Sequence, residues 1–159
     1  MVKIKHILLF LILFLLSPVR SGEIFEVNLD RVIDGDTVVV KGVEYGLSKV
    51  RLHAIDTPEK GQAHYLRSKK ALENLLKKGK ISLKKVTVDR YGRIVGELFV
   101  GNVSINLKMI ETGNAWCYEK YNKNIDFTNA EKLARDKAIG IWALPKSQQI
   151  APWIWRRKN

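Results

Sequence analysis

The stretch VIDGDTVVV, residues 32–40, sets two aspartates either side of a glycine inside a β-branched run. Working outward from it fixes the local structure. Upstream, Phe25, Val27 and Leu29 alternate with Glu26, Asn28 and Asp30, the period of a half-buried strand. Asp34-Gly35-Asp36 reads as a turn, and residues 37–41 as a second strand. After a second turn at Gly42 to Gly46, Val50, Leu52 and Ala54 alternate with Arg51, His53 and Ile55 in a third strand. The run DTPEKG breaks it. Residues 62–78 read as a helix with Leu72, Leu75 and Leu76 on one face and Lys69, Lys70, Lys77 and Lys78 largely off it. Residues 81–88 form a fourth strand whose alternation slips between Leu83 and Val86, as at a bulge. Tyr91-Gly92 turns the chain into a fifth strand, residues 94–100. Asn106 is the expected N-cap of a short helix at 107–112 that stops at Gly113. A last helix, 128–138, would turn Ala130, Leu133, Ala134 and Ala138 inward and end at Gly140. Five short strands, a helix after the third and two at the end predict one α+β domain. A small closed barrel suits the strands, because closure leaves no exposed edge.

A chain of 159 residues suffices for one domain. Residues 1–21 have the pattern of a signal peptide: Lys3 and Lys5, then an uncharged apolar run from Ile7 to Leu16, then Val19 and Ser21 ahead of a cleavage point. The run falls short of the about 20 apolar residues of a membrane span, although an uncleaved anchor would share its flanks. The expected product is residues 22–159, exported to the periplasm or the medium, with no stable membrane span. The whole chain has 28 Lys+Arg against 16 Asp+Glu; losing Lys3, Lys5 and Arg20 leaves 25 against 16, a net +9. Such a surplus attracts polyanions, whether nucleic acid, acidic polysaccharide or anionic lipid. The lone Cys117 has no partner for an internal disulfide, so the core must carry stability.

A basic chain with acids at its first turn poses a problem of charge. Asp34 and Asp36 leave strand one, and Asp56, Thr57, Pro58 and Glu59 end strand three. If the three strands form a meander, these carboxylates share one rim and repel unless a cation joins them. Oxygen donors suit Ca²⁺ or Mg²⁺. With His53, His64 and Cys117 the only candidates in the exported chain, a zinc site of the usual kind is not expected. Taken singly, Asp-Gly is a common hairpin turn and Thr-Pro-Glu a common helix start. Arg51, five residues before Asp56, and Arg93, after the turn 89–92, shift the balance. Guanidinium groups bind phosphate oxygens in pairs, and a cation held beside two of them suits attack on a phosphodiester.

Together VIDGDTV (32–38), VRLHAIDTPE (50–59), DRYGR (89–93), ETGNAW (111–116) and GIW (140–142) resemble the staphylococcal nuclease family, over about residues 25–142. The resemblance implies a five-stranded OB-type β-barrel with three helices and a monomeric, Ca²⁺-dependent nuclease that acts on DNA and RNA and leaves 3′-phosphates. It implies Asp36, Asp56 and the backbone carbonyl of Thr57 as direct ligands of Ca²⁺, and Asp34 as an outer acid reaching the ion through water. It implies Glu59 as the residue that orients or deprotonates the attacking water, and Arg51 and Arg93 as phosphate clamps. Arg90, Tyr91 and Tyr121 are implied as substrate contacts. Two departures stand out. The segment KGQAHY after Glu59 is short, without a long mobile loop. Glu119 stands where an aromatic is expected two residues before Tyr121, so that Tyr118 or Trp116 would have to substitute.

A non-catalytic binding module on the same barrel is the alternative, since OB-type barrels bind single strands by charge and stacking alone. It has no need of acids beside the groove, and that favours the enzyme. His53 and His64 are expected to be packing or surface histidines, and Cys117 a half-buried filler. Lys84 and Lys85 are expected on a solvated face. In the basic tail, residues 143–159, Trp153 or Trp155 is expected to dock on the barrel and the charges to lie in water. A contact with nucleic acid or a membrane surface is the other reading of that tail.

Overall fold

The alternation on either side of Asp34 to Asp36 is realised in the computed structural model, which describes residues 22–43 and 46–158. The expected signal segment, residues 1–21, lies outside the described residues. Strand β1 (Ile24–Val32) pairs antiparallel with β2 (Thr37–Lys41), and β2 with β3 (Leu47–Leu52). After a two-residue strand β4 (Ile55–Asp56) and helix α1 (Tyr65–Leu76), β5 (Ile81–Val88) returns beside β1 and pairs with β6 (Ile94–Val100). A parallel pairing of β3 with β6, Val50 opposite Ile94 and Leu52 opposite Gly96, closes five strands into a barrel. The slip in the fourth strand is a register shift between Lys85 and Thr87.

Val27, Val38, Val40, Val50, Leu52, Leu83 and Leu98 fill the interior, and Leu72 and Leu76 of α1 join the same core. Strand β7 (Val103–Ser104) leads into α2 (Ile105–Glu111), which adds Ile105, Met109 and Ile110. Each such side chain, fully buried, contributes roughly 1.5–3 kcal/mol. The N-cap of α2 is Ser104, whose hydroxyl accepts from Leu107 N–H, and not Asn106. Asn106 is completely buried. Its Oδ1 accepts from Leu98 N–H at 3.0 Å, and its Nδ2 donates to His53 O at 2.9 Å and to Gly96 O at 3.2 Å. It pins the β3–β6 seam where the barrel closes. Asn106→Ala leaves these backbone groups unpaired. It is expected to cost about 3 kcal/mol, at about 1–3 kcal/mol for each stranded buried group. A urea midpoint matching the parent's would show that the seam closes without this side chain.

Strand β8 (Trp116–Cys117) pairs with β4, placing Asp56 opposite Trp116. Helix α3 (Ile125–Asp136) begins three residues before the expected start, capped by Asn124, whose side chain accepts from Asp126 N–H. Its buried face is Phe127, Ala130 and Ala134, spaced i, i+3, i+7. Leu133 is 56% exposed, and Ala138 also lies at the surface, so neither expected inward position is filled. Gly113 and Gly140 meet backbone to backbone. Ile141 N–H donates to Gly113 O at 2.7 Å, and a β-carbon on Gly140 would lie 2.2 Å from that oxygen. This contact joins the ETGNAW and GIW motifs and seats Trp142 on Trp116, ring centroids 4.4 Å apart.

The tail adds a fourth helix, α4 (Pro152–Lys158). Trp153 stacks flat on Tyr118 at 5.2 Å and meets Trp116 edge-on at 5.8 Å. Arg135, held by Glu131 at 2.6 Å, lies 3.7 Å over the Trp142 ring and completes this second cluster. No helix among the described residues is long and apolar enough to cross a membrane.

Candidate active site

Gly35 lets two distant motifs meet. A β-carbon there would lie 2.7 Å from Thr57 Oγ1 and 2.9 Å from Ser68 Cβ, so only glycine allows the 34–36 turn to press on residue 57 and α1. Ile33 N–H donates to Thr37 O at 2.9 Å, and Asp36 N–H to Asp34 Oδ1 at 3.0 Å, which fixes the turn through its own side chain.

The turn delivers Asp36, and the end of β4 delivers Asp56; they are 6% and 1% exposed. Asp36 Oδ2 accepts from both N–H and Oγ1 of Thr57, each at 2.8 Å. Its Oδ1 accepts from Thr37 Oγ1 at 3.2 Å and faces Arg51 Nε at 3.3 Å. Arg51 stands opposite Thr37 in the β2–β3 register, beside the turn. Its Nη2 donates to Asp56 Oδ1 at 2.8 Å, so one guanidinium bridges both acids. Burial, reinforced by the charge of Asp36, raises the Asp34 carboxyl to about 6. Burial also raises Asp56; Arg156 opposes that shift and Asp36 adds to it.

Glu59 follows in a tight turn. Its N–H donates to Gln62 Oε1 at 2.7 Å, and Gln62 Nε2 donates to Ile150 O at 2.9 Å, which ties the turn to the tail. Its carboxylate accepts from Arg156 Nη1. The same guanidinium grips Asp56, Nη2 to Oδ2 at 2.8 Å and Nη1 to Oδ1 at 3.2 Å. Burial alone would lower the Arg156 pKa, but its bonds to Asp56 and Glu59 push it up. The tail thus docks through Trp153 as expected, but not all of its charges lie in water. Gln62 and Arg156 escaped the sequence reading. Helical spacing could have pointed to Arg156, which follows the docked Trp153 by three residues and so shares its face.

The second group lies along the β3–β6 seam. Parallel pairing sets Arg51 beside Val95, and Arg93, two residues from Val95, shares that outward face. Arg93 is turned to Asp89, Nε to Oδ2 at 2.8 Å, rather than to the acids. Burial alone would raise the Asp89 carboxyl, but the bonds from Arg93 and from Tyr91 N–H hold it below the usual range. The guanidinium groups of Arg90 and Arg93 lie 4.8 and 5.6 Å from the Tyr91 ring centre, and that ring is 67% exposed. Tyr91 and Arg93 line a groove of about 510 Å³ with Lys49 and Lys85. Lys85 is not solvated as expected but 6% exposed, on the face of β5 that carries Ile81 and Leu83. Tyr121, 50% exposed, meets Tyr118 edge-on at 5.0 Å. Trp116 is buried among Trp142 and Trp153 and offers no face to a base. His53 and His64 are partly buried, and burial lowers both pKa values.

Among the described residues, no three His, Cys, Asp or Glu side chains stand in metal-binding geometry. The donor chemistry nevertheless fits a hard cation: oxygen atoms alone, with the two buried acids turned onto positive charge that arginines supply.

Residues 49–144 match the family model described as staphylococcal nuclease homologue. The chain is 36% identical over 150 residues to a protein of Haemophilus influenzae named as an uncharacterized endonuclease, covering 92% of this chain and 83% of that one. It is 36% identical over 156 residues to a micrococcal nuclease of Shigella flexneri, covering 91% and 88%. It is 34% identical over 140 residues to Protein ParB of Escherichia coli, covering 81% and 77%.

Proposed function

The chain belongs to the staphylococcal nuclease family, and from that premise we propose that it is an exported, Ca²⁺-dependent nuclease that hydrolyses DNA and RNA to products with 3′-phosphates. The observation that carries the reading is the convergence of Asp36 and Asp56 on Arg51, with Glu59 one turn away.

Asp36, Asp56 and the Thr57 carbonyl would hold Ca²⁺ directly, and Asp34 through water. The ion, when bound, would neutralise charge on the phosphodiester. Its flexible oxygen shell suits mixed carboxylate, carbonyl and water donors better than the strict octahedron of Mg²⁺ does. Glu59 orients the attacking water and accepts its proton. The new bond forms between water oxygen and phosphorus, the bond from phosphorus to the 5′ oxygen breaks, and that oxygen takes a proton from solvent. Arg51 and Arg93 gain hydrogen bonds as negative charge grows on the equatorial oxygens, so they bind the transition state more tightly than the ground state. Tyr91 lies along the flanking groove with the Arg90 guanidinium over its ring, and Tyr121 offers an exposed ring for the nucleotide.

Incubation of plasmid DNA and single-stranded RNA with Ca²⁺, with Mg²⁺ alone and with chelator tests this reading, followed by end-group analysis of the limit digest. Cleavage with Ca²⁺, protection by chelator and 3′-phosphate ends are expected. Full activity with Mg²⁺ alone, or predominant 5′-phosphate ends, would overturn the mechanism. Binding without cleavage in every condition would favour a non-catalytic module.

A further inference from the structure

Helix α4 brings a cation of its own to the acids. Asp56 Oδ1 receives Arg51 Nη2 at 2.8 Å and Arg156 Nη1 at 3.2 Å, and Oδ2 receives Arg156 Nη2 at 2.8 Å. A carboxylate oxygen has two lone pairs, so Oδ1 is saturated and Oδ2 half-engaged. Glu59 gives an oxygen to the same guanidinium. While Arg156 stays, Asp56 has little left to offer an ion, and Glu59 is held by one oxygen. We infer that Arg156 is a further residue of the site, an internal cation that holds Asp56 and Glu59 in place and competes with the metal ion for Asp56. This rests on the calcium reading above.

Three features support competition rather than a fixed structural pair. The body of the tail is anchored by contacts that do not use the guanidinium, Trp153 on Tyr118 and Gln62 on Ile150 O. Arg156 can therefore leave the acids without the tail undocking. Its side chain is 41% exposed and sits in the last turn of α4, whereas Arg51 is 15% exposed and held inside. Finally, Asp34, Asp36, Asp56 and Glu59 crowd one rim. Arg51 alone leaves most of that negative charge uncompensated, so a second cation is favoured there when no ion is bound, and a divalent ion can take its place.

Calorimetric titration of Ca²⁺ without nucleic acid tests this on the full exported chain. Three proteins are compared: the parent, Arg156→Gln, and Arg157→Gln, which removes the same charge from the next, exposed position. Arg156→Gln is expected to bind Ca²⁺ about tenfold more tightly, equivalent to about 1.4 kcal/mol, and Arg157→Gln to match the parent. In chelator Arg156→Gln is expected to melt below the parent, and its rise in melting temperature on adding Ca²⁺ to be the larger. Should Arg156→Gln fail to fold, Arg156→Lys keeps the charge but cannot span Asp56 and Glu59 at once, and intermediate affinity is expected. Parent-like or weaker Ca²⁺ affinity in the variant that folds would overturn the competition while leaving the calcium reading intact. Absence of Ca²⁺ binding in all three proteins would overturn both.

Discussion

Arg93→Ala is expected to turn over single-stranded DNA about 10²–10³-fold more slowly than the parent, because one preorganised donor aimed at developing charge is worth that much in rate. The same change should leave the fold almost untouched. Among the described residues Arg93 forms its ion pair with Asp89, and the two side chains are 30% and 19% exposed. Partly solvated pairs of this kind are worth about 0–1 kcal/mol. The loss should therefore appear in kcat, with an unfolding midpoint near the parent's. Arg93→Lys should recover little, since an ammonium keeps the charge but not the planar fork. Lys84→Ala, at an exposed position on β5, is the contrasting change: it should weaken substrate capture in a salt-dependent way and spare kcat. A rate for Arg93→Ala within tenfold of the parent, or a deficit confined to KM, would remove Arg93 from the clamp.

The barrel was legible because its strands carry their partners' instructions in the alternation of each. Val27, Val50 and Leu52 were readable as positions on one face of their strands, and even the bulge near Lys85 was visible as a slip in period. Lys85 itself was misread because charge was taken to mean solvent. The shift that follows it in β5 leaves it on the buried face with Ile81 and Leu83, where a long aliphatic stem can be covered while its amine reaches the groove. Asn106 was misread because a cap and a buried staple use the same amide. Which one forms depends on whether Leu98 and His53 present backbone groups nearby, and only the closed barrel decides that. On α3 the error was one of phase. Starting the helix at Thr128 left out Phe127, the largest side chain of the buried face, and Leu133 was drawn inward in its place.

The site divides in the same way. Asp34, Asp36, Asp56 and Glu59 were readable as a cluster because the meander puts two turns on one rim. Arg51 was legible as their neighbour because its strand position follows from the same register. Arg156 was not, since the sequence left open whether Trp153 or Trp155 docks, and that choice decides which of two adjacent arginines, a hundred positions from Asp56, turns inward. The docked face of a helix makes that choice, and Trp153 sets the face.

Arg51→Ala should be the most damaging single change to the folded protein. Arg51 is the shared counter-ion of two carboxylates that are nearly inaccessible to water, and it also donates to Leu52 O at 2.8 Å. Removing it leaves Asp36 and Asp56 beside each other with Arg156 as the remaining cation, on one of them only. Breaking a buried pair by deleting one partner costs about 3–5 kcal/mol, because the surviving charge is uncompensated. That cost should depend on pH in a defined direction. A carboxyl whose folded pKa is raised, as at Asp56, is fully compatible with the fold at acid pH and loses stability as pH rises through the folded value. The deficit of Arg51→Ala against the parent should accordingly shrink on acidification. It should also shrink when Ca²⁺ is added, since a divalent ion supplies the missing charge. Activity should not return with it, because the phosphate has lost a clamp that the ion cannot replace. Urea unfolding of parent and variant at neutral and acid pH, with Ca²⁺ and with chelator, separates these effects. A deficit indifferent to both pH and Ca²⁺ would mean that Arg51 acts by packing alone and that its bridge between the two acids carries no charge balance.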